Sequence, residues 1–301
     1  MKNKFCGHLK VYGACFAAFF LGSCSRLTLF HPKGPVAHEE VFLLYVTFAI
    51  MAVIVISVFA MAFWFSTRYR ASNKKADYQP HWETSVKIEL LIWLIPVAII
   101  AFLSYLTWTR TYQLDPYKPI QSDVKPLNIE VVSMDWNWLF IYPENNIATV
   151  NELVVPSNTP LSFRLTSETV MTSFFIPQLG SQMYAMAGMQ TKLHLLADTT
   201  GVFDGQNQEF SGQGYDTMHF KVIVKQPAQF ETWVEHALKS PRALSPRQYK
   251  KLSDPHANHP VTIYSPVSSG LFDSVVHRFT GWMGPHDKMK MKMQLKEQAH
   301  K

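Results

Sequence analysis

VFLLYVTFAIMAVIVISVFAMAFWFST, residues 41–67, contains no charged side chain and decides the fold. As a helix rising 1.5 Å per residue it would be about 40 Å long, enough to cross a bilayer with tilt. A second uncharged run covers residues 90–109, and its length of about 30 Å matches the hydrocarbon core of a bilayer. Trp93 and Trp108 lie towards its ends, where indole rings favour the headgroup region. The sequence therefore predicts two transmembrane helices, 41–67 and 90–109.

Charged residues orient this helical hairpin. The basic cluster Arg68–Lys75 follows the first span directly, and the positive-inside bias places the connection 68–89 in the cytoplasm. Both outer ends of the hairpin then face the periplasm. The formal charge is +5 over residues 1–109, −4 over 110–230 and +5 over 231–301. Because basic groups flank a mildly acidic centre, we exclude a nucleic-acid binder with one basic face.

The N-terminus has the features of a secretory signal. Three lysines precede the apolar run 11–20, which ends in Leu21-Gly-Ser-Cys24. This ending resembles the lipobox of bacterial lipoproteins, which implies cleavage between residues 23 and 24 and diacylglyceryl and N-acyl groups on Cys24. Residues 24–40 would then form a periplasmic segment. The alternative is a short first transmembrane helix, but roughly ten apolar residues span only about half of the hydrocarbon core.

From about residue 127 the hydrophobic pattern changes to period two, as in Leu161–Thr166 and Met218–Val224. Short alternating segments separated by Pro, Gly and Asn predict an antiparallel β-sandwich or barrel over residues 120–228. Residues 229–280 are aromatic-rich and contain two short predicted helices, 230–239 and 245–252, the second with an N-cap serine and an N1 proline. The Met/Lys alternation within 281–301 predicts a flexible tail.

Two spans followed by a β domain resemble subunit II of the haem–copper respiratory oxidases. Thr84-Ser-Val-Lys-Ile-Glu-Leu-Leu-Ile-Trp-Leu-Ile-Pro96 is similar to the start of the family's second helix, and Met134-Asp-Trp-Asn-Trp138 is similar to its Trp-x-Trp strand. The resemblance implies a membrane-anchored α+β fold. Its parts are a two-helix transmembrane hairpin, a periplasmic cupredoxin-like antiparallel β-sandwich and a short helical C-terminal segment.

In cytochrome c oxidases this sandwich holds a dinuclear copper centre, with a histidine on one loop and a Cys-x-Glu-x-Cys-Gly-x-x-His-x-x-Met run on another. Thiolates, imidazole and thioether suit such a soft metal site. The corresponding residues, which we call the copper-loop positions, are Thr172, Asn207, Glu209, Ser211, Tyr215 and Met218. Four of the ligand side chains are replaced, and the chain has no cysteine after Cys24. We therefore predict no metal site.

This pattern is similar to subunit II of cytochrome bo-type ubiquinol oxidases, which keep the fold without the copper. The resemblance implies a bacterial inner-membrane subunit that carries no redox centre and no catalytic residue. Its partners would be oxidase subunit I, other integral membrane subunits and the lipid bilayer. Subunit I would hold the haem groups and copper and would receive electrons from ubiquinol. The assembled enzyme would reduce dioxygen and translocate protons.

Glu89 is the side chain with a candidate chemical role, because the family's glutamate is implicated at the entrance of a proton path into subunit I. The alternative is an interfacial carboxylate near Lys87 that marks the helix end. Trp136 and Trp138 would serve packing rather than electron transfer, because no acceptor metal lies beneath them.

Methionines raise an alternative of another class. Met183, Met186 and Met189 suggest a soft Cu(I) site, although methionines at this spacing more often pack against a partner. The alternative function is a membrane-tethered cupredoxin-like protein for copper handling or oxidase assembly. It predicts Cu(I) binding and no stable association with a haem protein. His256 and His259 lie in a Pro/Asn-rich loop and are assigned to the surface.

Overall fold

The computed structural model describes residues 28–73, 84–255 and 259–279. It divides into two compact units, which we describe separately. Residues 39–115 form the helical unit, and the second unit combines the residues up to 38 with those from 116 onward. Cys24, the signal 1–23 and the tail 281–301 lie outside the described residues.

The helical unit consists of two long apolar helices, α1 (Pro35–Arg68) and α2 (Val86–Gln113). Each is long and apolar enough to cross a membrane, and most of their large apolar side chains are exposed. Both helices extend beyond the predicted uncharged spans. An ion pair joins their ends, since Arg110 Nη1 lies 2.5 Å from Glu39 Oε2. The Arg110 guanidinium also lies over the Phe42 ring, 5.8 Å from its centroid.

Two β-sheets form the second unit. The strands are β1 (Leu127–Met134), β2 (Asn137–Tyr142), β3 (Ile147–Val150), β4 (Glu152–Pro156), β5 (Pro160–Ser167), β6 (Thr172–Ile176), β7 (Gly180–Ala185), β8 (Thr191–Leu196), β9 (Gly201–Asn207), β10 (His219–Lys225) and β11 (Thr262–Tyr264). The first sheet has the order β11-β3-β2-β1-β5-β8, and the second has the order β4-β10-β9-β6-β7. The predicted sandwich is therefore present, and most neighbouring strands are antiparallel. Two pairs, β1 with β5 and β4 with β10, are parallel. In each pair the chain passes through strands of the other sheet between the first strand and the second.

An aromatic group fills the core between the sheets. Phe174 of β6 stacks on Phe220 of β10 with 5.2 Å between ring centroids, and Trp138 contacts both rings edge-on. Phe140 and Phe163 complete this group, and all five are buried. Large buried rings contribute much of the hydrophobic stabilisation of such a domain. The core therefore depends on the strands and not on the loops at their ends.

The segment before α1 belongs to the sandwich unit. The Lys33 N–H donates to Gln178 O at 2.7 Å, and the Lys33 carbonyl accepts from Asp198 N at 2.9 Å. A Cβ added to Gly34 would lie 2.2 Å from the Leu196 carbonyl oxygen, so only glycine fits this close approach. The predicted domain boundary at residue 120 therefore misses a short segment that packs against β7 and β8.

The C-terminal segment contains three helices, α3 (Pro227–Leu238), α4 (Pro246–Leu252) and α5 (Leu271–Arg278). Ser245 caps α4 as expected, because its Oγ accepts the Gln248 N–H at 3.2 Å. The segment also supplies β11, which pairs with β3. The predicted boundary at residue 228 therefore separates a strand from the sheet that contains it.

Candidate functional site

Three of the copper-loop positions meet at one end of the sandwich. Asn207 ends β9, Met218 precedes β10, and Ser211 lies in the connection between these strands. Asn207 Nδ2 donates to Ser211 Oγ at 3.1 Å and lies 3.4 Å from Met218 Sδ. Ser211 Oγ lies 3.9 Å from the same sulfur. Asn207 and Met218 are buried, so these three side chains form a closed polar cluster.

The Asn207 amide is the centre of this cluster. Its Oδ1 accepts the backbone N–H groups of Ser173, at 2.8 Å, and Glu209, at 3.0 Å. Its Nδ2 also donates to the Glu209 carbonyl oxygen at 2.8 Å. A carboxamide offers two donors and an acceptor with two lone pairs, and this environment engages all of them. The side chain therefore joins the start of the β9–β10 connection to the first residues of strand β6.

These residues do not fit a dinuclear copper centre. Asn207 and Ser211 stand where the resemblance puts the two bridging thiolates, and neither has a sulfur atom. The Asn207 amide instead donates hydrogens to Ser211 Oγ and to Met218 Sδ, the one sulfur of the cluster. Within residues 28–73, 84–255 and 259–279, no group of three or more His, Cys, Asp or Glu side chains is placed to hold a metal ion. No step of the proposed function is therefore assigned to a metal in this chain.

The remaining copper-loop positions have other contacts. Thr172 is buried, and its Oγ1 donates to Ser133 Oγ at 2.7 Å. Glu209 joins the cluster through its backbone groups. The Tyr215 ring packs near the Phe210 ring, with 5.8 Å between centroids. The structure therefore brings only part of this set of side chains together.

Trp136 covers the cluster, which the sequence did not reveal. Its indole N–H donates to the Ser211 carbonyl oxygen at 3.0 Å. A Cβ added to Gly214 would lie 2.4 Å from Trp136 Cδ2, so the loop backbone lies directly against the ring. Trp136 has a φ of 68°, a left-handed conformation that costs energy for a bulky residue. Trp138 lies in the aromatic core instead, as its packing role predicts.

The methionines and histidines have structural surroundings. Met183 packs against the aromatic core, and the Met186 carbonyl oxygen accepts the Thr166 hydroxyl at 3.3 Å. Met189 is exposed. His259 Nδ1 lies 2.8 Å from the Pro260 carbonyl oxygen, whereas His256 falls outside the described residues.

Glu89 lies in the first turn of α2 and is exposed. Its backbone N–H donates to the Ser85 carbonyl oxygen at 2.9 Å, as in a regular helix start. A carboxylate in the first turn also interacts favourably with the helix dipole. Its position at the end of an apolar helix is what both interpretations of this residue require.

Comparison with known proteins gives two family matches. The family described as "Cytochrome C oxidase subunit II, periplasmic domain" matches residues 106–226, and "COX Aromatic Rich Motif" matches residues 239–283. These matches confirm the predicted order of two apolar helices, a cupredoxin-like sandwich and a short helical C-terminal segment.

Full-length relatives extend the similarity to most of the chain. The cytochrome bo(3) ubiquinol oxidase subunit 2 of Pseudomonas aeruginosa is 48% identical over 262 residues, which cover 87% of this chain and 79% of that protein. The Pseudomonas putida protein of the same name is 47% identical, with coverage of 88% and 85%. The ubiquinol oxidase subunit 2 of Acetobacter aceti is 42% identical, with coverage of 94% and 92%.

Proposed function

Because the chain belongs to the ubiquinol oxidase subunit 2 family, we propose that it is the non-catalytic subunit II of a proton-translocating ubiquinol oxidase. The observation that carries this proposal is the Asn207 cluster. By the family resemblance its residues correspond to copper-ligand positions, and their amide and hydroxyl groups cannot exchange electrons. Electrons from ubiquinol therefore bypass this chain and enter the partner subunit I, which holds the haem groups and copper.

The membrane helices support an obligate membrane partner. One face of α2 forms a shallow open groove, lined in part by Ser104, Thr107 and Thr111. Small hydroxyl residues on one face allow close approach of another helix and can hydrogen-bond to it. Trp108 and Tyr112 line the same groove. We assign this face to contact with subunit I or another integral membrane subunit.

The topology of the proposal is multi-pass. The connection 68–89 is cytoplasmic, and the sandwich and the mature N-terminus are periplasmic in the inner membrane. Cys24 carries the diacylglyceryl and N-acyl groups. Mass spectrometry of the N-terminal peptide tests this part separately, because an unmodified peptide that starts before residue 24 would contradict it.

Glu89 is proposed to stand at the proton-path entrance of the assembled enzyme. Its support is a carboxylate at the end of an apolar helix on the proposed cytoplasmic side. Glu89→Ala should slow oxygen reduction in the complex, and Asp123→Ala, which removes an exposed carboxylate from the sandwich unit, should not. Equal turnover and proton translocation in both variants would assign Glu89 to the helix end alone.

One purification tests the main proposal. The complex is isolated through a tag on this chain, and oxidation of ubiquinol and of reduced cytochrome c is measured on the same sample together with its copper content. We expect ubiquinol oxidation, no cytochrome c oxidation and no copper beyond that of subunit I. Isolation of a chain without haem but with bound Cu(I) would instead support the copper-handling alternative, which its relatives do not favour.

A further inference from the structure

The part of the chain after α3 forms a strap across the outer face of the first sheet. We define the C-terminal strap as residues 240–255 and 259–279. It buries apolar residues of β1, β2 and β3 beneath its own side chains, which include Leu244, Tyr249, Leu252, Phe272 and Val275. The outer face of this sheet is therefore covered by the chain itself.

Side chains of the strap also bind a buried carboxylate. Glu168 directly follows β5 and is only 6% exposed. One of its oxygens pairs with the Arg278 guanidinium, and the other accepts the Tyr249 hydroxyl at 2.5 Å. Burial raises the pKa of the Tyr249 phenol, which keeps its proton available for this bond. One charged and one neutral donor satisfy this buried carboxylate. If either donor were removed, the desolvation cost of the carboxylate would no longer be compensated.

A second network with the opposite polarity fixes the start of α5. Here the sandwich supplies the cation, since Arg164 of β5 donates to Asp273 of α5 at 2.9 Å and to Glu130 of β1 at 2.7 Å. The guanidinium also lies over the Phe272 ring, 4.8 Å from its centroid. Helix α5 thus offers an acid at one end and a base at the other, and each finds its counterpart on the sandwich.

Glu168 begins the β5–β6 connection, which leads to Thr172, the first copper-loop position. Ser133 of β1 holds both ends of this connection, because its carbonyl accepts the Glu168 N–H at 2.7 Å and its hydroxyl accepts the Thr172 hydroxyl at 2.7 Å. In copper-bearing relatives of this fold a metal would join this connection to the β9–β10 loop. Here a hydrogen bond from Ser173 N to Asn207 Oδ1 joins the two segments.

We propose that the C-terminal strap restrains the β5–β6 connection, as a copper centre does in copper-bearing members of this fold. The restraint acts from the opposite side of the connection, through Arg278 and Tyr249 on Glu168. Val170 and Met171 at the tip of this connection are exposed, so the restraint would hold an apolar part of the surface in place. This inference concerns the periplasmic unit and does not depend on which electron donor the oxidase uses.

Hydrogen exchange of the purified complex tests the proposal. In Arg278→Gln, backbone amides of residues 169–173 should exchange at least tenfold faster, whereas amides of β2 and β10 should keep their protection. The matched control is Arg247→Gln, which removes an exposed arginine of α4 that has no ion pair within the described part of the chain. The control should leave residues 169–173 unchanged.

A double-variant cycle separates a specific restraint from general weakening. Glu168→Gln and Arg278→Gln should each accelerate exchange in 169–173, and the double variant should exchange no faster than the faster single variant, because both remove the same ion pair. Arg278→Lys should restore part of the protection. Unchanged exchange in the Arg278→Gln complex would overturn the proposal, and so would equal acceleration in β2 and β10.

Discussion

Asn207→Ala is expected to weaken the sandwich unit substantially without removing any apolar contact of its aromatic core. The substitution leaves the backbone N–H groups of Ser173 and Glu209 without their acceptor. It also deprives Ser211 Oγ and Met218 Sδ of a donor. Ser173 is fully buried, so water cannot replace the lost acceptor at its N–H without opening the strand.

The size of the effect follows from these orphaned donors. A buried donor without a partner costs about 1–3 kcal/mol. Because Glu209 is only half-buried, we assign the larger cost to Ser173 and expect a total loss of about 3 kcal/mol. For a unit of this size such a loss lowers the midpoint of thermal unfolding by about 6–12 °C.

Thermal unfolding of the detergent-solubilised chain, followed by tryptophan fluorescence, measures this effect. The control is Gln206→Ala, one residue earlier in β9, where the side chain is half-exposed and lies outside the cluster. We expect the control to remain within about 0.5 kcal/mol of the unsubstituted chain. If Asn207→Ala unfolds at the same temperature as the control, the amide is not the centre of the cluster.

Three further predictions use other contacts of the sandwich unit. Burial raises the pKa of the Glu152 carboxyl, so the unsubstituted chain loses stability as pH rises through that pKa. The free energy of unfolding of Glu152→Gln should therefore increase relative to that of the unsubstituted chain between pH 4 and pH 7. A difference between the two free energies that does not change with pH would refute this prediction. Gly214→Ala should push the Trp136 ring off the cluster and cost about 1–3 kcal/mol, seen as a lower unfolding midpoint and a changed near-ultraviolet circular dichroism. Gly34→Ala places a methyl group against the Leu196 carbonyl oxygen, and limited proteolysis should then cleave the segment before α1 faster than in the unsubstituted chain.

Hydropathy predicted both long apolar helices but not where they end. Uncharged runs stop at the first charge, whereas α1 begins at Pro35 and α2 continues to Gln113. Beyond the uncharged runs, Arg110 of α2 pairs with Glu39 of α1 across 71 residues of sequence. A window over one segment cannot detect a pair of this kind.

The copper-loop positions came from the family resemblance, and the contacts of their side chains could not be predicted from it. Residue types at Asn207 and Ser211 excluded thiolate ligands, yet nothing local indicated that the asparagine amide would join two loops and a strand. The left-handed backbone of Trp136 was equally hidden, because it lies in the two-residue turn between β1 and β2, and a bulky residue gives no signal for a positive φ there. Glu168 and Arg278 stand 110 residues apart, and only the folded chain brings them together.

Loss of a metal centre usually endangers a fold when the metal binding energy is also folding energy. In this sandwich the aromatic core around Phe174 and Phe220 lies between the sheets, while the copper-loop positions lie at the ends of strands. The metal would therefore restrain loops rather than hold the sheets together.

Because Phe174 pairs in register with Asn207, the same strand pairing that builds the core also places the Asn207 amide beside the loops. Polar groups restrain both loops, the Asn207 cluster on one, and Ser133 with the C-terminal strap on the other. We therefore expect the loop end of this subunit to be more sensitive to single polar substitutions than the apolar faces of its sheets are to conservative changes of volume.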